Sequence, residues 1–96
     1  MFITLLGFIV MQEITVYTTL ICSYCHAAKR LLEQRGLAFK EVDLTNNPKL
    51  RQELSDANGG YRTVPMIFIG SEFIGGFTEL AALDRSGALA AKVNAP

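Results

Sequence analysis

The chain is 96 residues long, half of them hydrophobic, with nine basic and nine acidic side chains and no formal net charge. That length holds one small domain around a single core. The even charge argues against a nucleic-acid binder, whose footprint is a basic excess. Two cysteines are too few for the disulfide framework of a small secreted protein.

Residues 1–10 are nearly all apolar, with Phe2, Ile3, Leu5, Leu6, Phe8, Ile9 and Val10. The run is short of the roughly 20 residues that span a bilayer, so no membrane contact is expected. It lacks a basic leading region, since the first basic residue is Lys29, and no small-residue cleavage site follows. The expectation is an apolar extension over residues 1–11, not necessarily native, with Met11 as an alternative start and one domain over 12–96. The other reading is an extra strand or a dimer contact, because an apolar run of this length rarely stays bare.

Glu13 to Thr18 is rich in β-branched and aromatic residues and reads as a strand. Ser23 to Arg35 reads as a helix. Ala28, Leu31 and Leu32 mark its buried face, and Gly36 stands where a C′ glycine ends it. Lys29, Arg30 and Arg35 fall in its later turns, where cations suit the dipole. Leu37 to Asp43 is a second strand, joined by a right-handed parallel crossover. Asn47 and Pro48 open the next helix as N-cap and first helical residue. Leu50, Leu54 and Ala57 form its apolar face, and Gly59-Gly60 ends it. Met66 to Ile69 is an apolar strand, Gly70-Ser71 a tight turn and Glu72 to Ile74 the returning strand. After Gly75-Gly76, Thr78 reads as the N-cap of a helix that runs to Ser86-Gly87, and the tail from Ala88 leaves room for one more short turn of helix. The order β-α-β-α-β-β-α predicts an α/β fold with one four-stranded mixed sheet and helices on both faces. Phe39, Phe68 and Phe73 are assigned to the core, Phe77 to either core or cleft. Arg30, Arg35, Lys40, Arg51 and Arg85 are assigned to solvated faces.

Both cysteines lie in one stretch, Thr18-Thr19-Leu20-Ile21-Cys22-Ser23-Tyr24-Cys25-His26, between the first strand and the first helix. A Cys-x-x-Cys pair opening a helix after a strand reads as a dithiol redox centre. Read with His26, it also fits the c-type haem attachment pattern, but the βαβ frame speaks against haem. A structural zinc site takes four ligands, and only Cys22, Cys25 and His26 are on offer. No metal is therefore expected at the dithiol itself, and His26 reads as a solvated side chain.

Four marks in one order resemble the glutaredoxin family on the thioredoxin fold. Cys22-Ser23-Tyr24-Cys25 is similar to its Cys-Pro-Tyr-Cys. Thr63-Val64-Pro65 matches its cis-proline segment, Gly75-Gly76 its paired glycines and Thr78-Glu79 the start of its last helix. The resemblance covers Glu13 to about Leu89. It implies a glutathione-dependent thiol–disulfide oxidoreductase that reduces protein disulfides and glutathione mixed disulfides, with glutathione as reductant. It implies glutathionylated or disulfide-bonded proteins as partners, a monomeric state and a cytoplasmic, reducing location.

On that resemblance Cys22 is the nucleophile and Cys25 resolves the mixed disulfide. The attacking species is the thiolate, so the ordinary thiol pKa of about 8.5 must fall. A three-unit drop takes roughly 4 kcal/mol, and a helix dipole supplies only about 0.3–2 kcal/mol. Amide hydrogen bonds from Tyr24 and Cys25, and the Cys25 thiol, must add the rest. For glutathione, the family pattern assigns Val64 to the cysteinyl backbone, with Thr63 and Pro65 framing it. Gly76, Phe77 and Thr78 take the γ-glutamyl carboxylate, Tyr24 flanks the tripeptide, and Gln52 and Arg62 take the glycyl carboxylate. Two positions depart from the family. Ser23 replaces its usual proline, and Thr19 replaces a common lysine, which implies a less depressed Cys22 pKa. Family members with serine at the Ser23 position also offer the alternative reading: a 2Fe–2S cluster carrier or redox sensor, in which two protomers each give Cys22 and two glutathiones complete a bridged dimer.

Overall fold

The computed structural model describes residues 11–95. The expectations for residues 1–10 fall outside the described residues. The elements are β1 (Ile14–Thr18), α1 (Ser23–Gln34), β2 (Lys40–Asp43), α2 (Pro48–Ala57), β3 (Met66–Ile69), β4 (Glu72–Gly75), α3 (Phe77–Ser86) and α4 (Ala88–Val93). The expected order holds, with α4 added at its end. The four strands form one sheet in the order β2-β1-β3-β4. β1 runs parallel to β2 and antiparallel to β3, and β3 and β4 form the expected hairpin. Helices lie on both faces, as in the thioredoxin fold.

Strand alternation splits the sheet into two unlike faces. Ile14 and Val16 of β1 and Ile67 and Ile69 of β3 point to one side, where Ala28 and Leu32 of α1, Leu80 of α3, and Leu89 and Val93 of α4 close a fully buried cluster. The other side carries a row of half-buried rings. Tyr17 meets Phe68, Phe68 meets Phe73 and Phe73 meets Tyr61, with centroids 5.0–5.7 Å apart. Phe39 packs against the buried cluster, whereas Phe68 and Phe73 belong to this second, partly open layer.

Local chemistry sets the ends of α1. Gly36 takes φ 68°, and the Gly36 and Leu37 N–H groups donate to the Glu33 and Leu32 carbonyls. That is a Schellman ending, as the glycine predicts. Lys29 and Arg30 lie in the second half of α1 and Arg35 is its C-cap, as expected, and two of these cations are paired with carboxylates. Lys29 pairs with Glu41 at 3.0 Å, and Arg35 forms a two-pronged pair with Asp84 of α3. β2 is shorter than expected because only Lys40–Asp43 find ladder partners on β1, while Leu37 and Phe39 pack sideways onto the core. On α2, Ala57 is exposed and Ser55 is the buried residue, so its apolar face is rotated from the expected one.

Candidate active site

The site forms where three loops meet the start of α1. Cys22 is the N-cap of α1, in an extended conformation (φ −159°, ψ 101°), and its Sγ accepts the Cys25 N–H at 3.0 Å. A sulfur thus occupies the place where an N-cap oxygen ordinarily accepts one of the four orphan amides. Cys22 and Cys25 are joined as a disulfide, with their Cα atoms 5.2 Å apart. Their surroundings differ sharply: Cys25 is 1 % exposed, and Cys22 is half-buried. An incoming nucleophile or disulfide therefore reaches the Cys22 sulfur first.

Across from Cys22 stands the loop before β3. The Val64–Pro65 peptide is cis and Pro65 is buried. The Val64 carbonyl oxygen lies 3.6 Å from Cys22 Sγ. Bonded to Cys25, that sulfur has no proton to donate, so the approach is a contact in the disulfide form. Beside it lies a cleft of about 300 Å³ lined by Tyr24, Thr63, Val64, Pro65, Gly76, Phe77 and Thr78, all sequence-predicted, together with Tyr61 and Glu79. The Tyr24 and Phe77 rings stack across it at 6.1 Å, which settles Phe77 as a cleft residue touching the core edge. A second cleft of about 500 Å³ contains Cys22 itself, with Ser23, Tyr24, Thr63, Val64 and Arg62. Gln52 stands apart: it lines a smaller hollow with Arg62, and its side-chain amide donates to Asp56 at 2.9 Å. His26 is exposed, as expected.

The expected cap of α3 is corrected. Gly76, not Thr78, is its N-cap, and the Glu79 carboxylate reaches back to accept the Gly76 N–H at 2.8 Å. The Gly76-Phe77-Thr78-Glu79 spacing carries that signal, since an acid three residues after the cap closes the first turn. A Cβ at Gly76 would stand 2.7 Å from the Tyr61 hydroxyl, so a side chain there would force the Tyr61 ring to shift.

Four cleft-lining residues, Tyr61, Glu79, Ile21 and Arg51, were not assigned to the site from sequence. Tyr61 joins the aromatic row to the cleft. Ile21 and Arg51 line the cleft that holds Cys22. Arg51 is no ordinary solvated cation: its guanidinium donates to the Arg62 carbonyl at 3.1 Å and ties α2 to the loop before Pro65. The loop entering α1 is held as firmly. The Leu20 N–H donates to the Thr45 hydroxyl at 2.8 Å, which itself donates to Asp43 at 2.6 Å. The Thr45 hydroxyl and amide hold the Asp43 carboxyl below its ordinary range. At the back of the site the Thr18 hydroxyl, and then Lys29, do the same for Glu41. Among the described residues no cluster of three or more His, Cys, Asp and Glu side chains is placed to hold a metal ion.

An accessible sulfur and a buried one, joined at a helix start opposite a cis-proline loop, define a thiol–disulfide oxidoreductase of the thioredoxin fold. The glutaredoxin family model matches residues 14–74. A glutaredoxin of Pseudomonas aeruginosa is 42% identical over 85 residues, 88% of this chain and all of that one. Glutaredoxin 3 of Escherichia coli is 42% identical over 79 residues, 82% of this chain and 94% of that one. The crystal structure of a buckwheat glutaredoxin–glutathione complex superposes with a TM-score of 0.80 at 28% identity, over 85% of this chain and 76% of that one. The chain belongs to the glutaredoxin family.

Proposed function

We propose that this protein uses glutathione to reduce protein disulfides and glutathione mixed disulfides, in a reducing compartment such as the cytoplasm. The observation that carries the reading is Cys22: its sulfur takes an amide at a helix start, touches the Val64 carbonyl and lines a cleft that shares Tyr24, Thr63 and Val64 with the cleft running to Gly76–Thr78. A family member of the same fold was solved as its glutathione complex, which supports the ligand. In the forward step the Cys22 thiolate attacks one sulfur of the substrate disulfide, and the other sulfur leaves and takes up a proton. The Cys25 thiolate then attacks Cys22 Sγ, closing the intramolecular bond and releasing the second substrate thiol. One glutathione thiolate opens that bond at Cys22, and a second attacks the bound glutathione sulfur, so that two glutathiones leave as their disulfide.

In this reading Val64 pairs its backbone with the cysteinyl unit, framed by Thr63 and Pro65, and Tyr24 flanks it. The γ-glutamyl carboxylate is left the amides of Phe77 and Thr78, because the Gly76 amide already serves Glu79. Arg62 lines the Cys22 cleft and takes the glycyl carboxylate. Gln52 joins it only after releasing Asp56. The test is turnover of a small glutathione mixed disulfide, coupled to glutathione reductase, beside a visible spectrum of protein purified anaerobically with glutathione. Turnover that requires glutathione, from colourless protein, is the expected result. No turnover at any glutathione concentration overturns the reading. Brown protein with visible absorption supports instead the glutathione-bridged 2Fe–2S dimer held by Cys22 from each protomer.

A further inference from the structure

Four large hydrophobic side chains are exposed among the described residues: Met11 at 51%, Leu20 at 70%, Ile21 at 93% and Tyr24 at 64%. Three of the four sit within two positions of Cys22. Apolar surface gathered on one spot of a small protein marks a place where another molecule binds. The backbone beneath it is fixed, because the Leu20 N–H is bound to Thr45 and the Leu44 N–H to the Thr18 carbonyl, both at 2.8 Å. These bonds stitch the loop before α1 to the loop before α2 and hold the side chains outward, an ordering cost met before any partner arrives.

Between those loops runs a groove of about 380 Å³, with Leu20 and Ile21 on one wall, Leu44 and Pro48 on the other, and Arg51 at its border. Arg51 is the one charged residue among those lining it. Ile21 and Arg51 also line the cleft that contains Cys22, so groove and sulfur form one continuous surface. The groove lies away from the Gly76–Thr78 cleft, so a polypeptide can occupy it while the other cleft stays open.

We propose that this groove docks the polypeptide whose disulfide is reduced, and that it selects a segment bearing an apolar side chain and a nearby carboxylate. The apolar side chain fills the space between Leu20 and Pro48, and the carboxylate pairs with the free edge of the Arg51 guanidinium. The inference rests on disulfide exchange at Cys22 and is independent of glutathione as the reductant.

The experiment is single-turnover stopped flow with protein reduced beforehand, without glutathione. Two synthetic peptides, each closed by an internal disulfide, differ only in the residues beside it: leucine and glutamate in one, serine and lysine in the other. Hydroxyethyl disulfide is the small reference. In each case one disulfide becomes a dithiol while Cys22 and Cys25 are oxidised, so electrons balance. The leucine–glutamate peptide should react about tenfold faster than the serine–lysine peptide, the size expected of one well-buried apolar side chain. Leu20→Ser should remove most of that preference and leave the hydroxyethyl disulfide rate unchanged, and Leu20→Met should keep it. Arg51→Glu should turn the charge preference toward lysine. Equal rates for the two peptides, or a Leu20→Ser loss as large on hydroxyethyl disulfide as on peptide, overturns the proposal.

Discussion

The starts of α1 and α2 are the same device made from different atoms. At α2 the Asn47 carboxamide accepts the Leu50 N–H at 3.2 Å, and Pro48 fills the first helical position. At α1 the Cys22 sulfur accepts the Cys25 N–H at 3.0 Å, and Ser23 follows. An amide oxygen cannot change its charge near neutral pH, so the α2 cap serves the fold alone. A sulfur can be thiol, thiolate or half of a disulfide, and the helix start favours the anion. The same orphan amides stabilise a fold at one helix and bias a reaction at the other. The start of α3 is a third version, in which Glu79 supplies the acceptor from within the helix.

The largest break in this comparison comes from Cys22→Ser. Serine is itself a favoured N-cap, so the helix should survive, with stability changed by about 1 kcal/mol or less relative to the reduced wild-type protein, while turnover of every disulfide substrate disappears. Cys25→Ser should still remove glutathione from small mixed disulfides and lose the intramolecular route to protein disulfides. Steady-state kinetics beside urea unfolding separates these outcomes. Next is Gly76→Ala, which drives a methyl group toward the Tyr61 hydroxyl. The Tyr61 ring is packed on Phe73, so the strain should cost about 1–3 kcal/mol and raise the KM for glutathione. Asn47→Ala should cost about 1 kcal/mol of stability and leave the KM for glutathione unchanged, the mirror image of Cys22→Ser.

The smallest effect is electrostatic. Asp84 is held below its ordinary range first by the hydrogen bond from Arg35, and Asp43 and Glu41 by those from Thr45 and Thr18. A carboxyl lowered on folding stabilises the native state fully above its unfolded value of about 4. That contribution is lost as pH falls through the lower folded value. Urea midpoints should therefore be flat from pH 7 to 5 and fall on acidification below about 4. Asp84→Asn should remove part of that fall. Asp43 and Glu41 are exposed and Asp84 is paired with an exposed arginine, so the slope is shallow.

Local signals made most of the fold legible. The Asn-Pro start of α2, the Gly36 ending of α1 and the Gly70-Ser71 turn each depend on a few adjacent residues, and each stands where those residues put it. The shifts arose where distant contacts decide. Ser55, not Ala57, is the buried residue of α2, a placement set by what the helix packs against rather than by its own apolar spacing. β2 shortens because β1 offers partners only from Thr15 to Thr18. At the site, the dithiol and the residues of the Tyr24–Thr78 cleft could be named from motifs. Arg51 and Tyr61 could not, because their place at the cleft follows from a carbonyl contact and a ring contact between different elements, which no local motif encodes.

The central claim is that, once the disulfide is reduced, the helix start favours the anion of the Cys22 sulfur while its neighbour stays enclosed. Alkylation of the reduced protein by iodoacetamide, followed against pH with each cysteine mapped by mass, tests it most directly. Cys22 should react first, with its rate rising at lower pH than that of a free thiol, near 8.5, and Cys25 should stay protected until unfolding. A Cys22 profile matching a free thiol, or modification of Cys25 first, would contradict the account.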